Sequence, residues 1–270
     1  MELQKIYDVL WMNYTEQNPS VKKVYDLFIN EGEEVKNDHI AFRTFNNQKV
    51  NIDVLARVFI ECGYELKGTY QFEAKKLNAK HYEHKTIKEA PRVFISELRV
   101  EEFSDFIQET VSEIIKSIPK EVLSSEEIIF SGNTWGKPSY DTYQKLREES
   151  EYAAWLYVFG YCANHFTVSV NALKKLNTVE KVNNFLKKNG FRINDSGGEI
   201  KGTPEQLLEQ SSILSEMINV DFEEGSLDIP GCYYEFARRY PDSKGKLYSG
   251  FIAKSADKIF ESTDYQNKKK

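Results

Sequence analysis

Cysteine is scarce: Cys62, Cys162 and Cys232 are the three in 270 residues. An odd number, widely spaced among apolar neighbours, argues against a disulfide framework and reads as free buried thiols in a reducing compartment. There is no CxxC and no Cys–His cluster, so a structural zinc is not expected. Long apolar runs are missing as well. The longest, residues 153–161, is far short of the roughly 20 residues that a membrane helix needs. The N-terminus lacks the basic region and small-residue cleavage site of a secretory signal, so the expected location is cytoplasmic. A basic surplus is also absent. Lys plus Arg number 36 against 42 Asp plus Glu, a net charge of -6 with pI near 5.5. That balance argues against nucleic acid, which wants a basic face, and means that an anionic ligand needs a local positive site. No GxGxxG, GxxxxGK[ST] or GxSxG occurs, which weakens dinucleotide, nucleoside triphosphate and α/β-hydrolase readings.

What is present is ordinary soluble composition, 40% hydrophobic and 29% charged, in a chain long enough for one large domain or two. Apolar spacing predicts two helices over 2–30, broken at Asn18-Pro19-Ser20. A strand follows at 38–45, then a helix at 51–62 with Val54, Leu55, Val58 and Phe59 inward, then strands at 64–73, 79–84 and 92–99. Residues 101–160 break this pattern with helical spacing and read as an insertion. The second run is a strand at 164–171, a helix at 179–189 and a strand at 191–201. A short helix capped by Thr203 with Pro204 at its first position comes next, then strands at 215–223 and 231–240. The expected fold class is α+β: two tandem βαβββ-like modules curving a sheet around a metal site, with N-terminal and inserted helices. The expectation is a single domain over 1–270, with approximate halves 37–100 and 163–260 and the helical insertion at 101–160.

The order of elements repeats, and so do particular residues. Asn37-Asp38-His39-Ile40-Ala41-Phe42 is echoed 126 residues later by Ala163-Asn164-His165-Phe166-Thr167-Val168. In the following helices Asp53 matches Glu180, Leu55 matches Val182 and Phe59 matches Leu186, and both end in Gly plus an aromatic, Gly63-Tyr64 and Gly190-Phe191. One histidine per copy at equivalent strand positions suggests two imidazoles on one metal ion. The candidate third ligand is Glu235, a lone carboxylate in the apolar stretch Tyr233-Tyr234-Glu235-Phe236, costly to bury unless paired or metal-bound. Two histidines and one carboxylate make the facial triad that leaves coordination positions open. On residues alone the alternatives stand: each histidine could be a hydrogen-bonded core residue, and Glu235 could pair with Arg238 or Arg239. Arg43, four residues beyond His39, shares its strand face by alternation, about 13 Å away at roughly 3.3 Å per residue. A guanidinium there suits one end of a metal-bound anion. His81 and His84 fall on opposite strand faces in a charged stretch and read as surface residues. Ser255 is read as a helix cap or a substrate contact.

These residues also resemble a known family. Asp38-His39-Ile40-Ala41-Phe42-Arg43-Thr44, Asn164-His165-Phe166-Thr167, Tyr234-Glu235-Phe236-Ala237-Arg238-Arg239 and Gly250-Phe251-Ile252-Ala253-Lys254-Ser255-Ala256-Asp257 resemble the 2-oxoadipate dioxygenase/decarboxylase family, over roughly residues 5–262. The resemblance implies a vicinal-oxygen-chelate, glyoxalase-like fold with a site similar to that of hydroxymandelate synthase. It further implies Fe(II) held by His39, His165 and Glu235, with Arg43 on the substrate's distal carboxylate. The implied reaction converts 2-oxoadipate and O2 to 2-hydroxyglutarate and CO2, a step of lysine catabolism. The partners expected are a small 2-oxo acid and O2, with neither nucleic acid nor membrane. Two alternatives remain open: a glyoxalase-like lyase or isomerase using Zn or Ni, and a non-catalytic small-molecule binding protein.

Overall fold

The computed structural model of the chain describes residues 2–252, 258 and 259. In order along the chain it has α1 (Leu3–Gln17), α2 (Pro19–Asn30), β1 (Asn37–Phe45), α3 (Ile52–Glu61), β2 (Tyr64–Phe72), β3 (Leu77–His84) and β4 (Arg92–Leu98). A helical block follows, α4 (Asp105–Ser117), α5 (Lys120–Ser124), α6 (Tyr140–Glu149) and α7 (Glu151–Phe159). Then come β5 (Ala163–Ser169), α8 (Val179–Lys188), β6 (Lys201–Thr203), β7 (Leu208–Ser212), β8 (Met217–Phe222), β9 (Gly225–Pro230) and β10 (Glu235–Arg239). The fold is α+β, as the patterning predicts, and no helix among the described residues is long and apolar enough to cross a membrane.

The chain forms two compact units. Among the described residues, the first comprises 2–14, 41–164 and 219–229; the second comprises 15–40, 165–218, 230–252, 258 and 259. In the first unit the strands run in the order β2-β3-β4-β1. Asn51 caps α3, its side chain accepting from Val54 N at 3.1 Å. The helix turns Leu55, Ala56, Val58 and Phe59 inward, and Phe59 packs on Phe42 and Tyr64 with ring centroids 5.6 and 5.8 Å away. Burying four such side chains is the main driving force for this layer.

In the second unit the order is β5-β10-β7-β6, with β10 parallel to β5 and antiparallel to β7. Thr178 caps α8, which buries Val179, Val182 and Leu186. Its one buried polar residue, Asn183, accepts a hydrogen bond from Ser211 Oγ at 2.7 Å, tying the helix to β7. Phe28 of α2 packs on Phe185 and Phe236 at 5.9 and 5.8 Å, tying the N-terminal helix to this core.

The two units repeat one topology. β1-α3-β2-β3-β4 corresponds to β5-α8-β6-β7-β10, and the strand orders match term for term. Before β3 and before β7 the chain makes a single 3-10 turn ending in a left-handed residue, Lys76 at φ 53° and Leu207 at φ 65°. Each of those residues accepts through its carbonyl from the residue after the last strand, Arg99 N at 2.9 Å and Tyr240 N at 3.0 Å. Register then aligns the copies: Leu77 faces Leu98 where Leu208 faces Arg239. Counting back four residues along β4 and β10 puts Phe94 at the position equivalent to Glu235.

Two expectations need correction. Residues 191–200 do not make the strand predicted over 191–201; they contribute a lone bridge from Ile193 to Ile213, and β6 begins at Lys201. The cause is local. Asn194 Oδ1 accepts from Ser196 N at 3.0 Å, and Gly197 and Gly198 sit at φ 68° and 102°, so the chain turns before it can pair. Conversely, β9 lies in a stretch read as a connection. Gly225, Asp228 and Pro230 are poor strand formers, but this strand pairs only with β8 in a two-stranded hairpin, where such residues are tolerated.

Candidate metal centre

His39, His165 and Glu235 come together in the second unit. Each offers one donor atom, and the three atoms lie within 4.8 Å of one another, the three-residue cluster of potential ligands found among the described residues. The sheet explains why. β10 lies parallel to β5 with Glu235 opposite Thr167, so His165, two residues earlier on β5, shares the face of Glu235. His39 enters from β1. Its Nε2 is 3.8 Å from Glu235 Oε1, and His165 Nε2 is 3.2 Å from Glu235 Oε2. The imidazoles meet edge to face at 5.6 Å.

All three side chains are buried, Glu235 to 1% exposure. Burial opposes ionisation of Glu235, but the pull of His39 and His165 and hydrogen bonds from His165 and Gln210 outweigh it, holding the carboxyl below its ordinary range. Gln210 Nε2 donates to Glu235 Oε1 at 2.5 Å. Asp38 Oδ1 lies 2.8 Å from His39 Nδ1, on the side of the ring away from Glu235. Thr167 Oγ1 is 3.0 Å from that Nε2. His165 stacks on Tyr233 at 4.7 Å, and Phe251 meets the His39 ring edge-on at 4.9 Å.

This donor set fits a divalent metal. An ionised carboxylate in an apolar interior needs a cation or several donors, and the two imidazoles beside it, in their neutral form, would complete a two-nitrogen, one-carboxylate donor set. The repeat explains why there is one carboxylate rather than two. The first copy places Phe94 where the second places Glu235, so duplication supplies a second imidazole without a second acid.

The alternatives left open for Glu235 are not realised. Arg239 pairs with Asp38 (Nε to Oδ2 at 2.7 Å), and the Arg238 guanidinium lies over Tyr240 at 5.1 Å. Sequence reasoning assigns Asp38 no role and weighs Arg239 only as a partner for Glu235; it does not anticipate their pairing with each other. Each lies beside or near a candidate ligand in sequence, but nothing in either strand marks the two as partners.

Arg43 lies farther along β1, in the first unit, and is 1% exposed. Its Nη1 donates to Glu151 Oε1 at 3.0 Å, and its guanidinium carbon lies 4.9 Å from the Tyr152 ring and 5.2 Å from the Trp155 ring. All three partners come from α7, within the stretch read as an insertion. The Tyr152 hydroxyl in turn accepts from Thr44 N at 3.0 Å and donates to Ser96 O at 2.7 Å.

His81 is not a surface residue. It is buried, with Nδ1 2.8 Å from Tyr70 Oη and Nε2 3.1 Å from Glu83. β3 is an inner strand paired on both sides, which the charged flanks of this stretch concealed. His84 Nδ1 accepts from Thr86 N and Ile87 N and caps the turn that follows. The cysteines are free, and burial pushes the Cys162 thiol up to about 12, so it stays protonated and inert at neutral pH. Cys232 is buried outright; Cys62 and Cys162 are half-buried, with the Cys162 sulfur turned into the desolvated side. Ser255 lies outside the described residues.

A duplicated βαβββ fold with a buried two-histidine, one-carboxylate cluster defines a protein of vicinal-oxygen-chelate type with a candidate metal centre. Comparison with known proteins narrows this. The family model of 2-oxoadipate dioxygenase/decarboxylase matches residues 6–248. The rice 2-oxoadipate dioxygenase/decarboxylase, chloroplastic/amyloplastic, is 36% identical over 274 residues, 93% of this chain and 75% of the rice protein. The solved structure of rice hydroxyglutarate synthase in complex with 2-oxoadipate superposes with a TM-score of 0.90 at 34% identity, covering 97% of this chain and 91% of that one. A Shewanella frigidimarina NCIMB 400 protein described as a hydrolase gives 0.87 at 48% identity, over 93% and 98% of the two chains. The chain belongs to the 2-oxoadipate dioxygenase/decarboxylase family.

Proposed function

We propose that this protein is an Fe(II)-dependent 2-oxo acid dioxygenase/decarboxylase that converts 2-oxoadipate, or a 2-oxo acid of similar shape, with O2 to 2-hydroxyglutarate and CO2. The observation that carries the reading is the buried cluster of His39, His165 and Glu235, whose donors lie within 4.8 Å of one another. Two imidazoles and one carboxylate with open positions are the donor set of non-haem Fe(II) oxygenases. Family membership supports the substrate class, through relatives named for 2-oxoadipate.

The reaction balances without an external reductant. Six carbons become five plus CO2, and the seven oxygens of 2-oxoadipate and O2 are divided between hydroxyglutarate and CO2. Iron, when bound, supplies the redox chemistry that couples O2 reduction to loss of the carboxyl group. His39, His165 and Glu235 would hold the metal, and Gln210 fixes the Glu235 carboxylate. Phe251 and Tyr233 line the histidines with apolar rings that exclude water. Arg43 is assigned to the substrate's distal carboxylate, supported by its burial, its place on β1 and the aromatic rings that hold its guanidinium flat.

The test is anaerobic reconstitution with Fe(II), followed by O2-consumption and CO2-release assays over a series of 2-oxo acids. One O2 consumed per CO2 released, with a preference for a six-carbon dicarboxylic substrate, is the expected result. Turnover under strict anaerobiosis would instead favour a Zn- or Ni-dependent lyase or isomerase on this scaffold.

A further inference from the structure

Arg239 and Asp38 form a buried ion pair that bridges two separated parts of the chain. Both are under 5% exposed. Arg239 Nε donates to Asp38 Oδ2 at 2.7 Å and Nη2 to Oδ1 at 2.9 Å, a bidentate arrangement. Its Nη1 donates to the carbonyls of Tyr248 and Gly250 at 3.1 and 2.7 Å. Asp38 Oδ1, already engaged by Arg239, is the atom 2.8 Å from His39 Nδ1. The guanidinium also lies 5.1 Å from the ring of Phe251, the same ring that touches His39 edge-on.

We infer that Arg239 and Asp38 are positioning residues that set the tautomer and orientation of His39, and that through Arg239 the segment at 248–251 is tied to the same histidine. This rests on the metal reading of the centre. A carboxylate behind a ligating imidazole raises its donor strength and keeps it from rotating, and removing such a partner characteristically costs 10–100-fold in metal affinity. The arrangement joins the two copies and is not repeated: the position equivalent to Asp38 in the second copy holds Asn164, and that equivalent to Arg239 in the first holds Leu98. The fork of Arg239 also demands acceptors at both oxygens of residue 38. An Asn amide there would put an N–H against either the guanidinium or His39, and in the second case would force the proton onto Nε2, the atom that faces Glu235.

The test uses the full chain with Co(II) as the probe, plus nitrogen-15 NMR of the imidazoles in metal-free protein, with four histidines to assign. Wild type should bind Co(II) and show His39 protonated on Nδ1. Asp38→Asn should lower Co(II) affinity about 10–100-fold, alter the visible Co(II) spectrum and shift the His39 tautomer toward Nε2–H. Removing one member of a buried pair is apt to unfold the protein, so the neutral double variant Asp38→Asn/Arg239→Gln is measured beside it. It should stay folded by circular dichroism yet bind Co(II) as weakly as Asp38→Asn. Arg239→Lys keeps the charge without the fork and should fall between. Wild-type Co(II) affinity and an unchanged His39 tautomer in the folded double variant would overturn the inference. Failure of wild type to bind Co(II), with the tautomer dependence intact, would sink the metal reading and leave the positioning of His39 standing.

Discussion

At the scale of the residue, Arg43 and Glu235 are opposite charges that the interior tolerates for different reasons. Glu235 is stabilised by two imidazoles and an amide, and a cation there relieves what burial costs. Arg43 already has a carboxylate, Glu151, at the first residue of α7, where the helix dipole favours a negative charge. A substrate carboxylate would share the guanidinium with Glu151, so removing Arg43 separates the two charges functionally. Arg43→Ala should raise KM for dicarboxylic 2-oxo acids by roughly 10–100-fold, the worth of a charge-assisted hydrogen bond of about 1.5–3 kcal/mol, while Co(II) affinity stays at the wild-type value. Arg43→Lys should not restore KM, because a lysine neither forks nor stacks between Tyr152 and Trp155. An unchanged KM in Arg43→Ala would remove this residue from substrate binding. His39, His165 and Glu235 could be read from the chain because a repeat singles out equivalent positions and a lone acid among aromatics is conspicuous. The pairing of Asp38 with Arg239 could not, because 201 residues separate the two and nothing local marks either as the other's partner.

At the scale of the element, the same contrast holds between periodic and non-periodic signals. Helices and strands with a strong apolar stripe fell close to the expected boundaries, since period 3.6 or 2 survives in the chain itself. The 191–200 stretch failed because an Asn side chain and two left-handed glycines override its strand composition. Elements are also held by carboxylates that no periodicity reveals. Glu33, just beyond α2, accepts from the backbone N–H groups of Lys174, Lys175 and Leu176 at 2.6, 2.7 and 2.8 Å, fixing the loop before α8. Burial works against its ionisation, but these three donors outweigh it and hold the carboxyl below its ordinary value of 4.5. A lowered folded pKa means stability that is complete above the unfolded value and is lost as pH falls through the folded one. Glu33→Gln turns an N–H toward a backbone N–H and should cost about 1–3 kcal/mol at neutral pH. The difference from wild type should narrow below about pH 4.5 as the native carboxyl takes up its proton. Urea titrations of both proteins between pH 3 and 7 measure this; a gap that does not change with pH would mean the charge of Glu33 contributes nothing.

At the scale of the molecule, duplication accounts for both the fold and the character of the site. Two copies of βαβββ with the same strand order give two equivalent histidines, and divergence then acts on the remaining positions: Phe94 against Glu235, Leu98 against Arg239, Asn164 against Asp38. Each charged member of these pairs lies in the second unit, and since Arg239 and Asp38 neutralise each other, Glu235 is the carboxylate left for a cation. The three candidate ligands sit on β1, β5 and β10, strands separated by more than a hundred residues of chain between the first and second and by tens between the second and third. A metal that binds the folded strands and not the unfolded chain stabilises by mass action, about 4 kcal/mol at a thousandfold excess over Kd. For a protein of this size that is a rise in Tm of roughly 10 °C. Calorimetry with and without saturating Co(II) should show the rise in wild type, its reversal by a chelator, and its absence in Glu235→Ala. Asp38→Asn/Arg239→Gln at the same Co(II) concentration should show a smaller rise, by about 1.4 kcal/mol for each tenfold loss of affinity. A wild-type Tm indifferent to Co(II) would mean that the three side chains are a hydrogen-bonded core cluster and that the repeat preserved two histidines for packing alone.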